Sequence, residues 1–408
     1  MSIAQFNFPT TIRYGAGVVA ELPRILADLG ITRPLLVTDR GLALLPPIAR
    51  IRALLAGIDV AVFNDIFGNP LVSQATAGGA AFRAHQADGI VAVGGGAALD
   101  VAKAIAVLAH HDGALLEYEA FLTNPRPIDG MVPPIVTIPT TAGTGSEVGR
   151  SAVVSDDDTH QKKIIFSAKL LAKRVLLDPE LTVGLPAAVT AATGMDALTH
   201  CVESYLAKDF HPMCEGIALE GLRIVARWLP VAVDYARRIE AGETSLLSDP
   251  RHVEARGMML NAAMMGAVAF QKDLGVVHSC AHALSTVADL HHGLANGILI
   301  PYGIAFNAPV VPEKLAIMAQ VVGAADPSPR DSAAPPAAAL AAPGESFIQW
   351  LVGFKQLLGI PTTLSEVGVT RDALPRLVEV ALADACHQYN PRPVAADDFT
   401  AIFTNALG

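Results

Sequence analysis

A chain of 408 residues is long for one hydrophobic core and suits two domains. Its 29 Lys and Arg against 39 Asp and Glu give a formal charge of −10 with no basic run, which excludes nucleic acid as the expected partner because phosphate contacts need clustered cations. Hydrophobic residues make up 52% and mean hydropathy is +0.42, yet glycine, aspartate or lysine interrupts each apolar stretch before the roughly 18 residues a membrane span needs.

The N-terminus, MSIAQFNFPTTIRYG, lacks the basic-then-apolar order of a secretory signal. Cys201, Cys214, Cys280 and Cys386 show neither CxxC spacing nor a disulfide framework, so a soluble cytoplasmic protein is expected. Residues 18–30 carry a helical pattern. PLLVTD (34–39), VAVFND (60–65), GIVAVGGG (89–96), PIVTIPTT (134–141) and RVLLDP (174–179) read as buried strands, each ending at a polar or glycine turn, and a helical run follows the third at 97–111. This rhythm predicts a doubly wound parallel α/β sheet, whose ligands bind beyond the carboxyl ends of its strands. From about Leu185 strand signals nearly vanish, and 185–207, 216–239, 255–270 and 312–325 show helical periodicity. The expected division is an α/β dinucleotide-binding domain over 1–184 and an all-helical domain over 185–408. Residues 324–346, rich in Pro, Ala and Ser, read as a surface loop with at most a short helix.

In the first half, Gly94, Gly95 and Gly96 end a strand and open a helix, where a backbone free of side chains and unpaired N–H groups suits a pyrophosphate. The run is not GxGxxG; a plain strand-to-helix turn is the competing explanation. Asp100 either contacts nicotinamide or ribose, or favours the helix start. TIPTTAGTGSEV (137–148) offers Thr140, Thr141, Thr144 and Ser146 as nucleotide donors, against an ordinary Thr/Gly turn. Asp39, ending the strand PLLVTD, is positioned to bind an adenosine ribose and repel a 2′-phosphate, which favours NAD over NADP despite the adjacent Arg40.

In the second half, Asp196 and His200 lie four apart on a predicted helix and so share one face. A carboxylate beside an imidazole is half of a divalent-metal site, and His278, His282 and His292, at offsets 0, +4 and +14, offer imidazoles to complete it. His291 competes with His292, since the chain reads HHG. A lone histidine is more often structural; the constellation is what points to metal.

These motifs resemble the iron-containing (group III) alcohol dehydrogenase family over nearly the whole chain: GGGxxxD at Gly94–Asp100, PTTAGTGSEV at 139–148, DPELTVGLP at 178–186, then GMDALTHCVESY, HxxxHxxxxxxxxxHGxxN and NPRP at 390–393. The resemblance implies a dinucleotide domain, a helical domain and a site in the cleft of that fold. It implies metal ligation by Asp196, His200, His278 and His292, the HG spacing favouring His292 over His291, with Fe2+ favoured and Zn2+ possible. His282 matches a non-ligand histidine near the nicotinamide, either a proton-relay member or a buttress. Nucleotide contacts are implied for Asn69, in the Gly68–Asn69–Pro70 loop, for Val148 at the end of the threonine-rich loop, and for Lys162. Ala97 stands where the family usually has serine, so only its backbone N–H is offered, and Leu171-Ala172-Lys173 replaces a common proline.

The implied reaction is reversible hydride transfer between NAD and a small alcohol, with an aldehyde or hydroxyacid as related substrates and a homodimer or larger homo-oligomer as the assembly. A hydroxyacid–oxoacid transhydrogenase would share these motifs but retain its nicotinamide. A maleylacetate-reductase-like enzyme resembles GMNA where this chain has GMDA. A dehydroquinate-synthase-like lyase normally has a Glu/His/His set. Gly149, Arg150, Phe270 and Cys280 are candidates to line the substrate pocket.

Overall fold

The computed structural model describes residues 10–324 and 343–408. The expected 324–346 loop therefore falls almost wholly outside the described residues, and from Pro343 the chain is the first turn of a helix. The chain forms two compact units, one ending at Gly184 and the other starting at Leu185.

The first unit contains strands β1 (Thr11–Tyr14), β2 (Pro34–Val37), β3 (Ala61–Phe63), β4 (Gly89–Gly94), β5 (Ile135–Pro139), β6 (Ser151–Ser155), β7 (Lys162–Phe166) and β8 (Arg174–Leu177). Its helices are α1 (Leu22–Asp28), α2 (Pro46–Leu54), α3 (Val72–His85) and α4 (Gly96–Leu108). Six strands form one parallel sheet in the order β1-β8-β5-β4-β2-β3, as the strand–helix rhythm predicts. The central strands β2, β4 and β5 are buried along their length, which is why they read as continuous apolar runs. β1 was not anticipated: its TIRY sequence sits at the sheet edge, largely exposed, and carries no apolar run. The antiparallel β6–β7 hairpin, outside the sheet, was also missed, because KKIIF begins with two charges.

On one face of the sheet, Leu22, Ile25 and Leu26 of α1 and Ile48 and Ile51 of α2 pack against Leu36, Val91, Val93, Val136, Ile138 and Leu176. α4 is buried along most of its length and packs on β4, β5 and β6. Its start is thereby fixed at the carboxyl end of β4.

The second unit is helical: α5 (Ala187–Leu206), α6 (Pro212–Glu240), α7 (Pro250–Ala269), α8 (Val276–Ala288), α9 (His292–Asn307), α10 (Pro312–Val321), α11 (Pro343–Leu358), α12 (Leu374–Ala383) and α13 (Ala396–Leu407). α5 is buried on every side, enclosed by α6, α7 and α9. Two small residues permit that closeness. A Cβ on Gly293 of α9 would meet the Ala192 carbonyl oxygen at 2.3 Å, and one on Gly266 of α7 would meet His200 Cβ at 3.0 Å. The polar groups that α5 carries are therefore held inside a packed core rather than on a surface. No helix among the described residues is long and apolar enough to cross a membrane.

Candidate metal centre and nucleotide loops

One turn of α5 separates Asp196 from His200 and places both on the same buried face. His278 enters from the first turn of α8, and His292 is the first residue of α9. The neighbouring His291 is the N-cap of α9, its Nδ1 accepting from the Leu294 N–H at 3.3 Å. Asp196 Oδ1 is ringed by three Nε2 atoms: His292 at 3.3 Å, His278 at 3.8 Å and His200 at 4.0 Å. Ligands about 2.1 Å from a tetrahedral ion lie about 3.4 Å apart, a spacing that the Asp196–His292 and Asp196–His278 distances approach; Asp196, His200 and His278 form a compact trio of donor atoms, with His292 adjoining it.

Asn296 supplies an independent indication of what belongs there. Its Nδ2 lies 2.8 Å from Asp196 Oδ1, 3.2 Å from His292 Nε2 and 3.4 Å from His278 Nε2. One carboxylate oxygen and two imidazole nitrogens thus converge on a single amide nitrogen, while the amide's own Oδ1 is buried with no hydrogen-bond partner among the described residues. Such a convergence of oxygen and nitrogen donor atoms is what a cation would draw together. A carboxylate with imidazole nitrogens suits Fe2+ or Zn2+.

His282, one turn after His278 on α8, stacks on the His292 ring with centroids 5.1 Å apart. Its Nδ1 lies 2.7 Å from Asp384 Oδ2, and Asp384 Oδ1 accepts from Ser279 Oγ at 2.8 Å and from the Cys386 N–H at 2.9 Å. Burial alone would raise the Asp384 carboxyl, but the His282 imidazole and these bonds hold it well below the usual carboxylate range. Cys386 completes a second potential ligand trio with His282 and Asp384. Burial and the adjacent Asp384 push its thiol well up, and the His–Asp pair is already joined by a hydrogen bond.

The nucleotide candidates gather at the carboxyl ends of β4 and β5. Thr140 donates its N–H to the Gly94 carbonyl at 3.0 Å. Gly94 has φ +150°, and a Cβ there would lie 2.7 Å from Ala98 Cβ and 3.5 Å from Asp39 Oδ2, which sets Asp39 beside the glycine turn. Thr141 faces Gly95, and Thr144 faces Gly96 so closely that a Cβ would meet its Cγ2 at 2.7 Å. Ala97 follows within the first turn of α4, and Val148 is buried at the far end of the loop. Asp39 Oδ1 accepts from the Leu42 N–H at 2.8 Å, while Arg40 is engaged by Asp65 and by the Phe67 ring.

Asp100 and Ser146 do something the motif did not suggest. Ser146 Oγ donates to Asp100 Oδ1 at 2.5 Å, Lys103 Nζ donates to Ser146 Oγ at 2.7 Å and to the Ser151 carbonyl at 2.8 Å, and Val153 N–H reaches Asp100 Oδ2 at 3.2 Å. The network ties the threonine-rich loop and β6 to α4. Beside it, burial pushes the Glu147 carboxyl up to about 7. Asn69 and Lys162 lie elsewhere in the unit, on segments joined through Ser155: its N–H donates to the Pro70 carbonyl at 2.7 Å and it pairs with Lys162 across the hairpin.

Of the suggested pocket residues, Phe270 lies beside the metal set, its ring centroid 5.1 Å from that of His200. Cys280 is wholly buried in α8, whereas Arg150 rests over the Phe166 ring and Gly149 lies near Lys103. The sequence reading gave no role to Glu203, Asn296 or Asp384. Glu203 and Asn296 fall at helical spacing from His200 and His292, a signal available but unused; Asp384, the extended residue that follows α12, had none.

The profile of the iron-containing alcohol dehydrogenase family matches residues 9–179, and that of the family's C-terminal part matches 190–407. The 4-hydroxybutyrate dehydrogenase of Cupriavidus necator is 37% identical, covering 99% of this chain and 100% of its own. The NAD-dependent methanol dehydrogenase of Bacillus methanolicus is 33% identical over 99% of this chain and its full length. A crystal structure of a 1,3-propanediol oxidoreductase, 35% identical, superposes with a TM-score of 0.86 over 99% of this chain and all of that one. This chain belongs to the iron-containing alcohol dehydrogenase family.

Proposed function

We propose that this enzyme oxidises a small primary alcohol, and reduces the corresponding aldehyde, with NAD and one divalent metal ion, Fe2+ in preference to Zn2+. The observation that carries the reading is the convergence of Asp196, His278 and His292 on one amide nitrogen, with His200 adjoining. Asp196, His200, His278 and His292 would hold the ion; Asp39, Asn69, Gly94, Gly95, Gly96, Ala97, Asp100, Thr140, Thr141, Thr144, Ser146, Val148 and Lys162 belong to the nucleotide side. When bound, the ion supplies Lewis acidity toward a substrate oxygen and the nicotinamide supplies the hydride acceptor.

The remaining work falls to side chains. Asp196 contributes a buried negative charge, 2% exposed, that offsets part of a divalent charge. Phe270 packs against His200 and keeps that flank apolar. His282, with Nδ1 held by Asp384, would take the alcohol proton and pass it outward, since a part of its side chain reaches solvent. The names of the relatives support a short alcohol, and one relative is named as NAD-dependent. A homo-oligomer is the expected assembly.

The deciding experiment is metal analysis of anaerobically purified protein, paired with an NAD-coupled screen of short alcohols, diols, aldehydes and hydroxyacids. His278→Ala should lose both bound metal and turnover. A metal-free variant with wild-type turnover would refute the ligand assignment. Turnover without added NAD, by protein that keeps its nicotinamide through gel filtration, would instead indicate a transhydrogenase.

A further inference from the structure

Glu203 follows Asp196 by two helical turns on α5, and its side chain is sealed in the core at 2% exposure. A buried carboxylate demands an explanation, since removing its charge from water is costly unless donors replace that water. Glu203 spans from α5 to the beginning of α8. Oε1 accepts from the Val277 N–H at 2.7 Å; Oε2 accepts from the His278 N–H at 3.1 Å and lies 2.6 Å from His278 Nδ1. A Cβ on Gly275, at the N-cap of α8, would sit 2.7 Å from Glu203 Oε1, so the approach also depends on a glycine.

The two backbone bonds are a helix cap supplied from another helix. The third bond has a different consequence. Both Glu203 oxygens already accept backbone N–H bonds, so the geometry assigns the hydrogen in the 2.6 Å contact to His278 Nδ1. Nε2 is then left with its lone pair, and Nε2 is the atom that faces Asp196 Oδ1 and Asn296 Nδ2. Asp196 and Glu203 together also place two buried negative charges on one helix, the number a divalent ion balances.

We propose that Glu203 is a positioning residue that locks His278 in its Nδ1–H tautomer and thereby sets the affinity of the centre for its ion, an inference that rests on the metal reading above. Glutamine at 203 can keep the bond to Val277 through its oxygen. Its amide would point a donor at Nδ1, favouring the opposite tautomer with a hydrogen on Nε2. The cap would keep its Val277 bond and lose the His278 N–H bond, while ligation would require moving a proton first.

The test is Zn2+ binding to the metal-free full-length protein, measured by competition with a chromophoric chelator, for wild type and Glu203→Gln. The variant should keep its far-UV circular dichroism and bind Zn2+ about 10- to 100-fold more weakly. A folded variant that binds within about threefold of wild type overturns the proposal alone; wild-type protein that takes up no Zn2+ overturns the metal reading and this proposal with it. Nitrogen NMR of 15N-histidine-labelled wild type, with the His278 signals assigned by their loss in His278→Asn, tests the tautomer without any change at 203. An Nδ1–H pattern in both metal-free and Zn2+-loaded protein is expected, and an Nε2–H pattern in the metal-free protein overturns the proposal.

Discussion

Replacing Gly293 with alanine should damage the centre without touching a ligand. The added Cβ would lie 2.3 Å from the Ala192 carbonyl oxygen, 2.9 Å from its carbon and 3.3 Å from Asp196 Cβ. A carbon–oxygen contact settles at about 3.3 Å, so α9 must withdraw from α5 by about 1 Å. The opposing atoms at Ala192 are backbone, so no rotamer change relieves the clash. Alanine's better helix propensity returns about 1 kcal/mol, against about 1–3 kcal/mol for overpacking, leaving a net loss of up to about 2 kcal/mol. In a unit of this size the upper figure lowers Tm by about 4–8 °C. His292 opens the displaced helix, and a 1 Å misplacement costs turnover on the order of 100-fold. Calorimetry of the metal-free protein, Zn2+ titration and steady-state kinetics would measure the three effects. A Gly293→Ala protein with wild-type Tm, Zn2+ affinity and kcat would refute the close-packing argument.

Three further outcomes are expected. Asp39→Gly removes the carboxylate beside Gly94 that would repel a 2′-phosphate, so kcat/KM with NADP should rise about tenfold or more relative to NAD; an unchanged cofactor ratio would sink that role for Asp39. Burial raises the Glu147 carboxyl from 4.5 to about 7, so the folded state holds its proton where the unfolded chain has released it, and stability from this group declines as pH rises from about 4.5 to 7. Glu147→Gln should therefore match wild type in Tm near pH 4.5 and exceed it above pH 7; a pH-independent difference between them would contradict the assignment. Asp273, at φ +70° and ψ −178°, occupies a region nearly reserved for glycine, and burial pushes its carboxyl up to about 6. Asp273→Gly should stabilise the protein by about 1 kcal/mol in chemical denaturation, and destabilisation would count against backbone strain there.

Much of this architecture is readable from residue order because its signals are local. The central strands are apolar throughout since both faces are covered, and the four-residue step from Asp196 to His200 is a property of any helix. β1 was hidden because an exposed edge strand needs no apolar run. The ambiguity between His291 and His292 turns on a helix start: His291 caps α9, and the next residue faces Asp196. Glu203 and Asn296 carry a helical spacing to His200 and His292 that marks a shared face but not a role, and Asp384 carries no local signal at all. Their partners His278, Asp196 and His282 lie 75, 100 and 102 residues away, so the relevant neighbours appear only after folding.

Those separations also bear on how the centre comes into being. Asp196 and His200 lie one helical turn apart, but His278 and His292 join them only when α5 meets the starts of α8 and α9, whose contacts span 75 and 100 residues. Loop entropy grows slowly, about 0.6 kcal/mol per doubling of length, so the full set is assembled by one docking event whose cost depends little on the length of the intervening chain. The unfolded chain then has little hold on metal, and an ion bound at this centre would act as a late-arriving staple. Its stabilisation would be felt in full by global unfolding, increasing as the logarithm of free ion concentration.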